Sequence, residues 1–190
     1  EDGSVMRISR LLIDSGYAAE SVYLCCRQSQ YASVLMPARG LGIGAGNKPL
    51  SEYRRSRGDR HGERWYIPAV AGGREIRHVR HDANNWKSFI HARLAVPFGD
   101  AGSLTLWGKS PTEHRLYADH LTAEYPVRMS AHGRVVDEWS NRPGRDNHYF
   151  DTLVGAAVAA SIMGASVTAG IAGVKATTTK RRRRGAVKYL

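Results

Sequence analysis

Short apolar segments with the two-residue period of β-strands alternate along this chain with segments that have the 3.6-residue period of helices. Residues 5–14 (VMRISRLLID) predict a buried strand, residues 18–28 a helix, and residues 32–38 (ASVLMPA) a second buried strand. Residues 74–82 (REIRHVRHD) predict a half-exposed strand, and WKSFIHARLA after it predicts a helix. Such alternation is typical of α/β proteins, and we expect a mixed sheet flanked by helices.

The rest of the chain adds further candidate elements. Residues 51–64 are rich in arginine and predict a mobile basic loop, and residues 104–107 (LTLW) predict a short strand. Residues 113–124 predict a helix, and residues 126–139 a hairpin that turns near His132 and Gly133. Two helix starts carry capping residues: Asn84 and Asn85 before WKSFIHARLA, and Asp146 or Asn147 before YFDTLVGAAVAASIM.

Length and charge divide the chain into a folded part and a basic tail. A chain of 190 residues is long enough for one domain with a sizeable core, which we place at residues 1–163, followed by a flexible Gly/Ala/Thr extension and tail at 164–190. Seven of the charges in the formal +11 lie in residues 175–190, which leaves +4 for residues 1–174. The tail therefore suits a polyanion, with nucleic acid as the first candidate and an anionic membrane surface as the second.

Two sequence features bear on the cellular compartment of the protein. Cys25 and Cys26 are adjacent and form neither a disulfide framework nor a zinc ligand set, which is typical of a reducing cytosol. Residues 153–174 carry no charge and precede a run of arginines, which resembles a membrane span with basic flanks. The stretch is mostly Ala, Gly, Ser and Thr, however, and three glycines interrupt it. We expect a buried helix with a loose extension, and keep a membrane anchor as the alternative.

The glycine-rich segment GLGIGAGNKPLS at residues 40–51 raises the question of a nucleotide site. A P-loop needs G-x-x-x-x-G-K-[ST], but Asn47 separates the last glycine from Lys48, and Pro49 stands where the hydroxyl residue belongs. The spacing of a dinucleotide-binding fingerprint is absent as well. We therefore predict an exposed loop that binds no nucleotide.

Two acids far apart in sequence are the main candidates for chemistry. Asp14 ends a predicted buried strand and is followed by a small residue and a glycine, although a simple turn would also explain it. Asp151 enters an otherwise apolar helix, where a charge is costly unless it faces a site or a cation. Paired carboxylates at the edges of buried elements suit Mg²⁺ or Mn²⁺.

Basic and imidazole side chains could complete such a site. His148 precedes Asp151 by three residues and would share its helical face, as a ligand or a proton-transfer group; a plain surface histidine is the alternative. Lys87 could contact a phosphate or be merely solvated. Asp82 is a weaker strand-end acid, and His78 and His81 lack partners at zinc spacing.

Four stretches, in order, resemble the C-terminal nuclease half of phage terminase large subunits of the GpA (lambda-like) type. They cover most of residues 8–161: LLIDSGYAAESVYLCCRQ, the glycine loop running into PLSEY, HDANNWKSFIHARLAV, and DHLTAEYPVRMSAHGRVVDEWSNRPGRDNHYFDTLVGAAVAAS. The resemblance implies an RNase H-like fold whose acids bind two divalent ions and cut duplex DNA. It places the strand-end acid at Asp14, the late acid at Asp151 and the helix lysine at Lys87.

Two expected parts of that family pattern lie outside this sequence. The first acid of the family stands on an opening G-[VI]-D-x-Q strand, and the ATPase domain carries Walker motifs; both would precede residue 1. The resemblance thus predicts either a fragment of a longer terminase or a decayed prophage remnant, with a metal site that lacks one ligand.

The sequence supports two main hypotheses on function. The first is a Mg²⁺- or Mn²⁺-dependent DNA endonuclease module of a packaging motor in the host cytoplasm. By resemblance, its partners are double-stranded DNA, the terminase small subunit and the portal protein, with no membrane. The second is an inactive remnant that only binds DNA or partner proteins.

Overall fold

The computed structural model of this protein describes residues 5–70 and 76–165. Four α-helices are present in this part of the chain: α1 Ala19–Gln28, α2 Ala83–Leu94, α3 Arg115–Leu121 and α4 His148–Ile162. The strands are β1 Leu11–Asp14, β2 Leu35–Leu41, β3 Arg60–Gly62, β4 Trp65–Ile67, β5 Val79–Asp82, β6 Glu124–Ala131 and β7 Arg134–Asn141. Short 3₁₀ turns occupy Leu50–Glu52 and Pro111–His114.

Five strands form one mixed sheet in the order β1-β2-β5-β4-β3. The pairs β1–β2 and β2–β5 are parallel, whereas β4 runs antiparallel to both β5 and β3. The expected α/β fold with a mixed sheet flanked by helices is confirmed. Because β1, β2 and β5 run in the same direction, their carboxyl ends meet at one edge of the sheet, the usual position of a binding site in such folds.

The core forms where α2 and α4 pack on this sheet. Phe150 and Val158 of α4 and Val79 of β5 are fully buried, and Trp86 of α2 is 1% exposed. A hydrogen bond of 2.9 Å from Trp65 Nε1 to Ser161 Oγ ties β4 to the far end of α4. The amino end of α4 lies beside the carboxyl edge of the parallel strands.

The β6–β7 hairpin has the predicted turn. His132 and Gly133 form the turn, both with positive φ, as a tight two-residue hairpin loop requires. Helix α2 contacts β7, and Trp139 Nε1 of β7 donates a hydrogen bond of 2.9 Å to Ser88 Oγ of α2.

The glycine segment packs on this hairpin, so the prediction of an exposed loop was wrong. Ile43, Gly44 and Ala45 are buried, and the backbone N–H of Ala45 donates to Glu138 Oε1 at 2.9 Å. The guanidinium of Arg134 donates to the carbonyl oxygens of residues 44, 45 and 47. Gly44 therefore allows close packing of this segment against Glu138 of β7.

Three local predictions were also wrong. Residues 104–107, within the described chain, are irregular: Leu104 packs against the core, whereas Trp107 is 93% exposed. Residues 5–10 are largely exposed and only Leu11–Asp14 is paired, so the first strand is shorter and less buried than expected. The predicted basic loop at residues 51–64 contains β3, which pairs at the sheet edge with β4 directly after it.

Within residues 5–70 and 76–165, no helix is long and apolar enough to cross a membrane. Helix α4 ends at Ile162, and the rest of the uncharged stretch lies mostly outside the described residues, as does the basic tail.

Candidate active site

A cleft of about 440 Å³ opens at the carboxyl edge of the parallel strands. It is bounded by the ends of β1, β2 and β5 on one side and by the first turns of α4 on the other. The four main candidates from the sequence line this one cleft, together with a histidine of β5: Asp14, His81, Lys87, His148 and Asp151. Residues separated by more than 130 positions in the chain thus share one surface.

Asp14 occupies the last position of β1. Its Oδ1 accepts a hydrogen bond of 3.0 Å from the backbone N–H of Gly16, so the turn that the sequence suggested is present. A side chain at position 16 would crowd the carboxylate, because a Cβ built there lies 3.3 Å from Asp14 Oδ2. The glycine therefore keeps the approach to Asp14 open.

Asp151 lies in the first turn of α4, where its side chain is 52% exposed. Its Oδ1 is 3.1 Å from the ammonium Nζ of Lys87 on α2. The placement of an acid in the first turn is favourable to the helix dipole, yet the carboxylate points toward a cation on another helix. Asp151 is therefore a cleft residue and not only a helix-start residue.

Lys87 is far from solvated, because its side chain is only 13% exposed. Its Nζ lies 2.6 Å and 2.7 Å from the two carboxylate oxygens of Glu124, which is itself 5% exposed. Asn147 Nδ2 donates to the same carboxylate at 2.5 Å. Lys87, Glu124 and Asp151 thus form a partly buried charged network at the cleft.

Sequence reasoning missed Glu124. It took residues 113–124 as one helix, but α3 ends at Leu121 and Glu124 starts β6. The available signal was its place in the LTAEY stretch that carries the family resemblance.

His81 was considered only as a zinc ligand, and its position in the cleft was also missed. The residue is 7% exposed, and its Nδ1 has no hydrogen-bond partner among the described residues. Burial lowers the pKa of His81 to about 4, a shift that Lys87 increases and Asp14 opposes. The imidazole is therefore neutral at pH 7 and offers a free ring nitrogen.

His148 shares the helical face of Asp151, as predicted from their spacing. Its side chain is 76% exposed, and Nε2 lies 3.8 Å from Asp146 Oδ1. The ring of His120 is 5.9 Å away from that of His148. The described contacts leave His148 accessible to a substrate at the mouth of the cleft.

Asp82, the weaker candidate, has a different place. Its Oδ1 accepts a hydrogen bond of 3.1 Å from the backbone N–H of Asn85, so Asp82 is the residue that caps α2. The prediction that Asn84 and Asn85 cap this helix was therefore wrong. Burial raises the pKa of Asp82, an effect that Arg64 and Arg134 partly oppose. It lines a separate polar cleft beside the β6–β7 hairpin.

The donor chemistry of the main cleft suits a hard divalent cation. Asp14 and Asp151 supply carboxylate oxygens, the ligands that Mg²⁺ and Mn²⁺ prefer. Among residues 5–70 and 76–165, however, no group of three or more His, Cys, Asp or Glu side chains is close enough to hold a metal ion. The described chain thus presents two carboxylates but no complete ligand set.

The family model described as terminase large subunit gpA, endonuclease domain, matches residues 1–170. No curated protein and no solved structure shows significant similarity to the chain.

Proposed function

The chain belongs to the family of terminase large subunit gpA endonuclease domains, and from the contents of its cleft we propose that it is a divalent-cation-dependent DNA endonuclease module that cuts concatemeric phage DNA. The observation that carries this proposal is the convergence of Asp14, Asp151, Lys87 and His148 on one cleft at the carboxyl edge of the sheet.

Each of these residues has a role in the proposed reaction. Asp14 and Asp151 would hold Mg²⁺ or Mn²⁺, and such an ion activates water and neutralises charge on the phosphate. Lys87 would donate to a phosphate oxygen at the scissile position, as cations do in phosphoryl transfer. His148, exposed at the mouth of the cleft, would move a proton to or from the substrate.

Double-stranded DNA is the proposed substrate, held by phosphate contacts that carry no sequence information. Exposed arginines of the segment before β3 and of β3 itself supply positive charge for such contacts: Arg54, Arg55, Arg57 and Arg60. By family resemblance, the terminase small subunit and the portal protein are the proposed protein partners, in the host cytoplasm.

A second function is favoured by one observation. Among the described residues, no group of three or more His, Cys, Asp or Glu side chains could hold a metal ion. A chain that holds no metal ion would bind DNA or partner proteins without cutting DNA. This alternative corresponds to an inactive prophage remnant.

Cleavage of supercoiled plasmid separates the two functions. The purified protein should relax or linearise plasmid with Mn²⁺ but not with EDTA, and Asp14→Asn and Asp151→Asn should abolish cleavage. Asp119→Asn, a change at an exposed acid of α3, is the matched control and should cut normally. DNA binding without cleavage in the unchanged protein would establish the second function instead.

A further inference from the structure

We propose that Glu124 is a positioning residue: it holds the Lys87 ammonium at the cleft wall so that the Asp151 carboxylate stays available to a divalent cation. Glu124 is not itself a lining residue of the cleft, and it acts through Lys87. The part of this inference that concerns the cation rests on the proposed function, whereas the part that concerns Lys87 does not.

The contacts of Lys87 are unequal. Glu124 offers two oxygens at 2.6 Å and 2.7 Å, while Asp151 offers one at 3.1 Å. Glu124 has a side chain that is 3% exposed, against 52% for Asp151. An ion pair is stronger where water is excluded, so Glu124 is the principal partner of the lysine.

The carboxylate of Glu124 is itself held in place. Asn147, the residue before α4, donates from Nδ2 to Glu124 Oε1 at 2.5 Å. Glu124 therefore links the start of β6, the middle of α2 and the start of α4. Loss of this carboxylate would leave Lys87 with Asp151 as its only described acidic partner.

Without the Glu124 carboxylate, we expect the Lys87 ammonium and a divalent cation to compete for Asp151. A lysine ammonium held on the Asp151 carboxylate disfavours a metal ion there, because two cations at close range repel each other. Glu124→Gln should move Lys87 toward Asp151 and weaken Mn²⁺ binding about tenfold, the lower end of the effect of outer-shell partners on metal affinity. The double variant Lys87→Met/Glu124→Gln should recover most of that affinity, because the competing cation is gone.

Glu124→Asp distinguishes positioning from charge. It keeps the negative charge but is one methylene shorter, so it cannot reach Lys87 and Asn147 at these distances. Positioning predicts weakened Mn²⁺ binding in Glu124→Asp as well as in Glu124→Gln. Wild-type affinity in Glu124→Asp alone would show that only the charge matters and would overturn the proposal.

Thermal unfolding of the same variants provides a readout that does not depend on metal. Removing one partner of a buried ion pair is strongly destabilising, so Lys87→Met and Glu124→Gln should each lower Tm by about 10 °C. The decrease in Tm of the double variant should be clearly smaller than the sum of the decreases in the two single variants. Glu20→Gln, at an exposed position on α1, should change neither Tm nor Mn²⁺ affinity.

Calorimetric titration with MnCl₂ and melting curves provide two independent measurements. Unchanged Mn²⁺ affinity in Glu124→Gln would overturn the proposed role at Asp151. Additive losses of Tm would overturn the positioning role. If the unchanged protein binds no Mn²⁺, the proposed cation site fails, and the melting curves still judge the link between Lys87 and Glu124. If Glu124→Gln does not fold, a double variant that folds supports the link, and one that also fails to fold contradicts it.

Discussion

The ammonium of Lys87 lies 3.1 Å from Asp151 Oδ1 and joins helices α2 and α4 across the candidate active site. The two residues are 64 positions apart, and each was selected from the sequence on separate grounds. Their contact makes the lysine a neighbour of the carboxylate that would bind a cation, in a position to reach a phosphate bound there. Function at this cleft should therefore depend on both.

The first prediction concerns Lys87→Met, which removes the ammonium and keeps much of the side-chain volume. We expect plasmid cleavage to fall by about 100-fold, the typical loss when a group that stabilises transition-state charge is removed. Initial rates with supercoiled plasmid and Mn²⁺ measure this. Lys48→Met, at an exposed position outside the cleft, is the control and should leave the rate unchanged. Equal rates in both variants would remove Lys87 from the proposed reaction.

The second prediction is that Asp14 and Asp151 contact one shared divalent ion. Both line the same cleft, and carboxylates that serve a two-metal centre lie around ions only about 3.5–4 Å apart. Crystals soaked in MnCl₂ should show an anomalous peak between the two carboxylates. Carboxylates more than about 10 Å apart in those crystals, well beyond that spacing, would show that the assignment is wrong.

Sequence periodicity predicted secondary structure well where the spacing of apolar residues coincides with the buried face of the folded element. The body of α4 was predicted closely, because the helical spacing of its apolar residues matches their burial in the fold. The turn of the β6–β7 hairpin was also predicted, although burial does not alternate along β6, where six of the eight residues are exposed. Residues 104–107 show the limit, since four residues are too few for a period that distinguishes a strand from an irregular segment. The β4 strand was missed because it has only three residues, which directly follow the arginine-rich segment 51–64.

The candidate site was predictable only for those residues that have a local signal in the sequence. Asp14 and Asp151 stand out locally, one at a strand end and one inside an apolar helix. Glu124 and His81 do not, because their importance comes from burial beside Lys87 and within the cleft, which only tertiary packing creates. Asp82 resembled Asp14 in sequence, yet the fold uses it as the cap of α2.

The third prediction concerns the glycine segment. A Cβ at Gly44 would lie 2.4 Å from Glu138 Oε1, so Gly44→Ala should displace this carboxylate from the N–H of Ala45. We expect a loss of about 1 kcal/mol in the free energy of unfolding, the typical worth of one such hydrogen bond. Gly46→Ala is the matched control, because a Cβ there meets nothing within 4 Å. Urea denaturation of both variants should separate them.

The same segment should bind no nucleotide. Its broken P-loop spacing and its packing on β7 both argue against a phosphate site. Titration with ATP should therefore show no saturation. Saturable binding that disappears in Lys48→Ala would contradict this interpretation.

The fourth prediction concerns pH. The folded-state pKa of His81 is about 4, below the ordinary value of 6.5. Between these values the unfolded chain binds a proton that the folded protein does not, so stability is present above about pH 6.5 and is lost as the pH falls toward 4. The contribution is on the order of 3 kcal/mol, since one pKa unit corresponds to about 1.4 kcal/mol.

His81→Gln provides the comparison. Asp82, whose pKa is raised, shifts stability in the opposite direction, so the quantity to measure is the difference between the two proteins. The free energy of unfolding should fall less steeply from pH 7 to pH 4 in His81→Gln than in the unchanged protein. His132→Asn, in the exposed hairpin turn, should retain the original slope. Parallel pH profiles in all three would show that His81 titrates normally.

The last prediction concerns residues 175–190, which lie outside the described part of the chain. Six of their seven positive charges fall within Lys180–Lys188, without an acidic residue. Each phosphate that a basic side chain neutralises releases counterions, so log affinity for duplex DNA falls with log salt by about 0.9 per contact. Deleting residues 175–190 should therefore flatten the measured slope by several units, for duplexes of any sequence. Plasmid cleavage at low salt should change little, because Asp14 and Asp151 remain. A truncation that leaves the slope unchanged but releases the protein from anionic vesicles would assign the tail to a membrane surface instead.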